Sequence, residues 1–370
     1  MDFLIETVKQ VTPEQIVMWL IGGLLIYLAI KKDIEPALLL PMGFGAILVN
    51  IPNSAVIASD GGIIASLFKV GIEASEAMPL LLFIGIGAMI DFGPLLSNPK
   101  LFILGGAAQL GIFVTLILAT IIGFPLNDAA SIAIIGAADG PTSILVALKL
   151  ASKYLGAIMV VAYSYMALVP IVQPAVVKLC TTKKERRIKM KYHAAQVSKL
   201  TRILFPVIVT IISGLIAPAS LSLVGMLMFG NLLRECGVLN TLSETAQNTL
   251  SNLITLLLGI TIAFQMQAEQ FVTWETLMIM GLGLFAFVFD TIGGVMCAKL
   301  MNLFSKEKIN PMIGAAGISA FPMAARVVEK MGVKEDSTNH LLMHAVGANV
   351  SGQIASAIVG GLIIGLVQAL

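Results

Sequence analysis

IGAADGPT (residues 135–142) and IGAAGISA (313–320) open with the same four letters and lie 178 positions apart in a chain of 370. The first runs straight into an acid, Asp139, and then Gly140-Pro141. The second follows Asn310-Pro311 and leads to Phe321-Pro322 and Arg326. Glycine supplies permissive backbone angles, while proline removes a donor and disfavours helix at the residue before it. Inside a helical chain, each copy is therefore a place where a helix stops.

The surrounding solvent is lipid. A hydrophobic fraction of 58% with only 12% charged residues lies far from a soluble domain, whose charged fraction is about 25%. Uncharged stretches at 101–123, 155–177, 203–233 and 345–370 are long enough for a hydrocarbon core of roughly 30 Å. The stretch 276–298 joins them, interrupted by Asp290 alone. Unpaired backbone groups cannot face lipid, and the alternating ten-residue pattern of a β-barrel is missing, so these are expected to be helices. Pro206 and Pro218 divide 203–233 into two short spans.

Charge distribution orients the chain. Lys183, Lys184, Arg186, Arg187, Lys189, Lys191, Lys199 and Arg202 crowd one loop against the single acid Glu185, which places that loop in the cytoplasm. It lacks the aromatic interleaving of a nucleic-acid patch, so no nucleic-acid partner is expected. Acids precede the first apolar run and lysines follow it, the reverse of a secretory signal. Three scattered cysteines suggest neither a disulfide framework nor a zinc site. His340 and His344 have helical spacing but no further ligand motif, and read as an interfacial structural pair.

The IGAA repeat extends outward. LLLFIGIGAMIDFG (80–93) precedes the first copy and LLLGITIAFQMQAE (256–269) the second. Gly85 and Gly259 are offset by 174, Gly136 and Gly314 by 178. After each copy comes a span with unusual polar groups: Tyr163 and Tyr165 in one half, Asn349 and Ser351 in the other. Internal repeats with a broken segment at matching positions point to a transporter site near the bilayer midplane. The relative orientation of the halves stays open at this level. The expected organisation is N-terminal spans over 1–77, a first repeat over 78–180 broken at 135–142, and the basic loop 181–202. Connecting spans over 203–250 then lead to a second repeat over 251–370, broken at 310–326.

The first break frees carbonyl oxygens beside a carboxylate, hard ligands suited to a cation such as sodium, with hydroxyls from Thr142 and Ser143 at hand. An Asp at mid-membrane costs about 2.5 to 3.5 kcal/mol on insertion scales. A neutral Ser or Asn would cap a helix at less cost, which favours function over capping for Asp139. The same carboxylate can hold a proton in place of the metal ion. Asp290 has no proline break or hydroxyl cluster around it; a basic partner or a helix-end position explains it equally well. Asp91 marks an interface.

In the second break Asn310 and Ser319 are neutral oxygen donors, and Gly314 and Gly317 thin the first piece. Arg326 supplies a fixed positive charge whose planar fork matches a carboxylate. A guanidinium near a sodium site would repel the ion unless an anion also comes there. Snorkelling to headgroups is the competing account of Arg326.

GAADGPTSI (136–144), AYSYMALVPI (162–171), GNLLRECG (230–237), NPMIGAAGISAFPMAARV (310–327) and GANVSGQIASA (347–357) together resemble the β subunit of the sodium-pumping biotin-dependent decarboxylases. That group acts on oxaloacetate, methylmalonyl-CoA or glutaconyl-CoA. The likeness runs from about Met78 to the C-terminus.

What the resemblance implies is a multi-pass subunit of the bacterial cytoplasmic (inner) membrane that decarboxylates carboxybiotin and couples this to sodium export with proton consumption. It implies two repeats of opposite topology, in a homotrimer whose core domains move like an elevator against a scaffold. The partners are an α subunit carrying biotin and a small γ subunit. This chain shows no biotin attachment site of its own, since Lys189-Met190-Lys191 lacks the usual context. The resemblance assigns Asp139 and Tyr165 to sodium and proton exchange, and Arg326 to the carboxylate of carboxybiotin. Asn310, Gly314, Ser319 and Asn349 fall on its remaining functional positions, as sodium ligands or, for Asn310 and Ser319, beside the carboxybiotin. Two other functions compete: a sodium/proton antiporter, which has no use for a carboxylate receptor, and a structural anchor, which would be indifferent to Asp139→Asn.

Overall fold

A computed structural model describes residues 9–58, 61–190 and 197–370, and every regular element in them is helical. Lys191 of the basic loop lies outside the described residues. Among those described, six helices are long and apolar enough to cross a membrane, and two pairs bent by 67° and 71° bring the number to as many as eight. The chain is an all-α polytopic membrane protein.

Helix α1 (Pro13–Lys32) starts where the Thr12 hydroxyl accepts the Gln15 N–H and the Gln15 side chain accepts the Thr12 N–H, with Pro13 in the first helical position. It stops at Asp33, whose φ of +52° breaks the helical path. The chain returns in α2 (Pro36–Val49). The two helices touch at Gly22 and Gly43, where a Cβ on either would lie 2.6 Å from the other's carbonyl oxygen. Such small-residue contacts let helix backbones approach where lipid supplies no hydrophobic drive to associate. The outer face of α1, with Leu20 and Ile30 each 70% exposed, is the face lipid would cover.

After the bent segment ending in α3 (Ala77–Met89), the chain crosses in α4 (Leu101–Ala107) and α5 (Leu110–Ile122), one span with a turn in its middle. Asp290, fully buried on a later helix, accepts the N–H of Gly111 at 2.5 Å. Its carboxylate thus sits at the start of α5, where freed amides and the helix dipole favour an anion. This is the helix-end role.

Helix α6 (Leu126–Ala133) tightens into a 3-10 turn, Ile134–Ala137, then breaks at Ala138 (φ +52°) and the extended Asp139. Helix α7 (Gly140–Lys149) leads back. The two legs are tied at their far ends: Ser152 Oγ donates to Asp128 at 2.7 Å, and Asn127 donates to the carbonyl of Leu150 at 3.3 Å. Residues 126–149 therefore form a hairpin. The span expected at 155–177 is the pair α8 (Leu155–Met166) and α9 (Val169–Cys180), bent by 71°.

Helices α10 (Lys199–Ile216) and α11 (Leu221–Glu235) are the two spans expected over 203–233, but they are divided at Pro218 alone, since Pro206 lies inside α10 and leaves it continuous. A segment ending in α12 (Ser251–Ile262) follows, then the 31-residue α13 (Trp274–Phe304). The second broken element has α14 (Met312–Ala315), a turn with a cis Phe321–Pro322 bond, and α15 (Met323–Glu335). Its far end is strapped to the basic loop. The Asn310 side chain donates to the carbonyls of Arg186 and Ile188, both at 2.9 Å, and Glu335 pairs with Arg186 at 2.7 Å.

Helix α16 (Leu342–Ala369) fixes the relation between the hairpins. Its start is held by Glu329 of α15, which accepts the N–H groups of Leu341 and Leu342 at 2.7 and 2.8 Å. At its other end Gln368 donates to the carbonyl of Lys149, at the foot of α7. Twenty-eight helical residues span about 42 Å. The hairpins are thus anchored at opposite ends of one membrane-length helix, and their tips point toward each other.

Candidate functional site

The tips meet beside the middle of α16. Ser319 N–H donates to the carbonyl of Ala137 at 3.2 Å, Ser319 Oγ donates to the carbonyl of Gly352 at 3.0 Å, and Asn349 donates to the carbonyl of Ile318 at 2.6 Å. Close approach needs glycine here. A Cβ on Gly352 would collide with the Gly317 carbonyl, and one on Gly314 with the Gly294 backbone of α13.

Asp139 is buried at this junction, 3% exposed. One carboxylate oxygen accepts from Thr142 Oγ1 at 2.5 Å, Gln353 Nε2 at 3.3 Å and Ser356 Oγ at 3.3 Å. All three donors are neutral, and no Lys or Arg pairs with the carboxylate among the described residues. Ser143 Oγ donates to the Asp139 carbonyl at 2.9 Å, closing the first turn of α7. Asn349 Oδ1 and the Tyr163 hydroxyl are buried oxygens with no hydrogen-bond partner among the described residues. A dry carboxylate among neutral oxygens and a broken helix is a constellation that accepts a monovalent cation or a proton.

The structure brings Asp139, Ser319 and Asn349 together, with Gly314 on the wall against α13. The remaining three expected residues lie elsewhere. Tyr165 packs its ring between Ile135 and Gly283, and its hydroxyl donates to the Met280 carbonyl of α13. Asn310 sits at the foot of its hairpin on the basic loop. Arg326 stands on α15 in a cleft of about 570 Å³ that Asp33, Lys178, Lys330, Lys334 and Glu335 also line. It is exposed and forms no ion pair within 4 Å among the described residues. Its field still reaches the α1–α2 loop: burial pushes the carboxyl of Glu35 up, and the Arg326 charge draws it back. Among the described residues no group of three or more His, Cys, Asp or Glu could hold a metal ion, and His340 pairs with Glu329 at 2.8 Å.

The model of the Na+-transporting oxaloacetate decarboxylase beta subunit matches residues 14–367. The chain belongs to that family. It is 48% identical over 375 residues to the methylmalonyl-CoA decarboxylase subunit beta of Propionigenium modestum, covering 95% of this chain and 94% of that protein. It is 49% identical over 351 residues to the glutaconyl-CoA decarboxylase subunit beta of Acidaminococcus fermentans, with 95% and 92% covered. The oxaloacetate decarboxylase beta chain of Klebsiella pneumoniae is 44% identical over 416 residues, with 96% of each covered. As a member of the family, the chain is the membrane subunit of a sodium-transporting decarboxylase rather than an antiporter.

Two side chains on Asp139 escaped the sequence reading. Gln353 and Ser356 follow Asn349 at i+4 and i+7, one polar stripe on an otherwise apolar helix. That spacing was the available signal. Ser351, singled out instead, faces away and donates to the Phe102 carbonyl at 3.1 Å.

Proposed function

We propose that this subunit decarboxylates carboxybiotin presented by a biotin-bearing α subunit and uses the reaction to export sodium, with Asp139 as the coupling residue. A small γ subunit, a trimer of this chain and the bacterial inner membrane complete the assembly. The observation that carries the proposal is the Asp139 carboxylate, buried without a cationic partner where two oppositely anchored hairpins meet.

In chemical terms, the bond between the ureido nitrogen and the carboxyl carbon breaks, carbon dioxide leaves, and the electron pair left on nitrogen takes up a proton. Arg326 receives the carboxylate: its cleft is open and its guanidinium has no ion pair among the described residues, a need that a bidentate anion meets. The hairpin tip precedes α15, within about two turns N-terminal to Arg326. Asp139 holds sodium among Asn349, Ser319 and the carbonyls of the breaks, and releases it in exchange for the proton that decarboxylation consumes. Tyr165 fastens α8 to α13 through the Met280 carbonyl, and Gly314 lets α13 and the second break approach. Asn310 anchors the foot of the second hairpin to the basic loop. Two hairpins anchored at opposite ends of α16 suit a site that opens to either side in turn.

The test places the complex, with its partner subunits, in sealed vesicles and follows sodium-22 uptake and carboxybiotin decarboxylation together. Uptake should track decarboxylation in the wild type, and both should fail in Arg326→Ala. Uptake by simple exchange, indifferent to carboxybiotin and to Arg326→Ala, would overturn the proposal.

A further inference from the structure

Tyr163 and Tyr165 lie two residues apart on α8 and so face roughly opposite ways. The hydroxyl of Tyr165 is committed to the Met280 carbonyl. That of Tyr163 is not: the side chain is 2% exposed and its oxygen has no partner among the described residues. Burying a hydroxyl without a hydrogen bond is unfavourable, and native structures seldom leave one so.

Its position gives the vacancy a direction. The hydroxyl-bearing end of the ring lies against Gly140, the residue after Asp139, so that a Cβ on Gly140 would fall inside it. The ring belongs to one buried apolar cluster with Met159, Ile144 and Leu258, and close packing of that kind restrains its rotation. A rigid phenol is therefore pressed onto the start of α7, beside the carboxylate whose known donors, Thr142, Gln353 and Ser356, approach from α7 itself and from α16. Asp139 is reached from the α8 side by this ring.

We propose that Tyr163 belongs to the cation site: its phenolic oxygen is a neutral ligand that engages when sodium sits on Asp139, closing the site on the Gly140 side. The inference rests on the sodium-site proposal and adds a residue to it. Engagement gives the orphaned oxygen the partner it lacks here and needs no charge change on the phenol. It also assigns a reason to Gly140, since any side chain there would displace the ring from the carboxylate.

Sodium-22 binding to the detergent-solubilised complex tests this with Tyr163→Phe, which keeps the ring packed and removes only the oxygen. The expected result is a sodium affinity weakened tenfold or more. A ring that merely fills space would leave the affinity unchanged, and that outcome overturns the inference. Asp139→Asn, run in parallel, separates the two claims. If it abolishes sodium binding while Tyr163→Phe binds normally, only the Tyr163 assignment fails. If it binds sodium as wild type does, the site itself is misplaced. Should Tyr163→Phe fail to assemble, Gly140→Ala serves instead: it pushes the ring off the carboxylate, and unaltered sodium affinity in that variant is equally fatal.

Discussion

The N–H of Ser319 donates to the carbonyl of Ala137 at 3.2 Å, joining the tip of one broken hairpin to the tip of the other. These residues belong to the two IGAA segments, so the repeated tetrapeptide is a meeting point in space as well as a likeness in sequence. Whatever moves one break is transmitted to the other across this bond, and Asp139 lies two residues beyond Ala137.

The close approach of the second tip to α16 depends on Gly352, whose added Cβ would strike the Gly317 carbonyl. Gly352→Ala is expected to cost roughly 1–3 kcal/mol through overpacking. Thermal unfolding of the purified protein should show a lowered midpoint, together with lost sodium-dependent turnover. An unchanged midpoint would mean the tip and α16 are not in contact.

Thr142 gives Asp139 its shortest hydrogen bond, 2.5 Å. Hydrogen bonds to charged groups contribute about 1.5–3 kcal/mol, so Thr142→Val, which keeps the shape, should raise the sodium needed for half-maximal decarboxylation by about tenfold or more. The loss favours the protonated carboxyl over the anion that sodium requires. The defect should therefore deepen as pH falls, and a pH-independent shift would speak against direct contact with the carboxylate.

Arg326 is open to the cleft while Asp139 is buried, so the two roles separate. Arg326→Ala should raise the KM for free carboxybiotin by about ten- to a hundredfold, as expected for a lost charge-assisted pair of hydrogen bonds. Equilibrium sodium-22 binding should stay as in wild type. Lost sodium binding in this variant would place the guanidinium in the cation site.

The hydrogen bond from Arg186 holds the carboxyl of Glu335 below its ordinary value near 4.5. A carboxyl lowered in the folded state contributes stability that is fully present above the unfolded value and is lost as pH falls through the folded one. Glu335→Gln should thus unfold at lower temperature than wild type at neutral pH, and the gap should close below about pH 4.5. A gap that persists at lower pH would assign the effect to packing.

Much of this was readable beforehand because composition and proline placement act locally. Lipid-length apolar runs, the Asp139 break and the division at Pro218 follow from backbone chemistry that neighbours do not alter, whereas Pro206 is carried inside α10. What was hidden depends on partners distant in the chain. Asp290 needs Gly111, 179 positions away, to show itself as a helix-end acid. Asn310 reads in sequence only as a neutral oxygen donor; the fold is needed to show its Nδ2 donating to the carbonyls of Arg186 and Ile188 while its Oδ1 accepts the Met312 N–H. Of the two tyrosines, sequence offers no means of telling which lies against Gly140 and which bonds the Met280 carbonyl, since that depends on how α8 is rotated between its neighbours. Gln353 and Ser356 were within reach of the helical period and were passed over for the nearer Ser351.

The most direct test of the coupling role is Asp139→Asn in sealed vesicles containing the whole complex, with sodium-22 uptake and carboxybiotin decarboxylation measured side by side. The isosteric amide keeps the fold and removes the charge that sodium and proton share. Both activities should disappear together while carboxybiotin still binds. Decarboxylation that continues with sodium uptake intact would contradict the assignment and move the coupling site away from the two breaks.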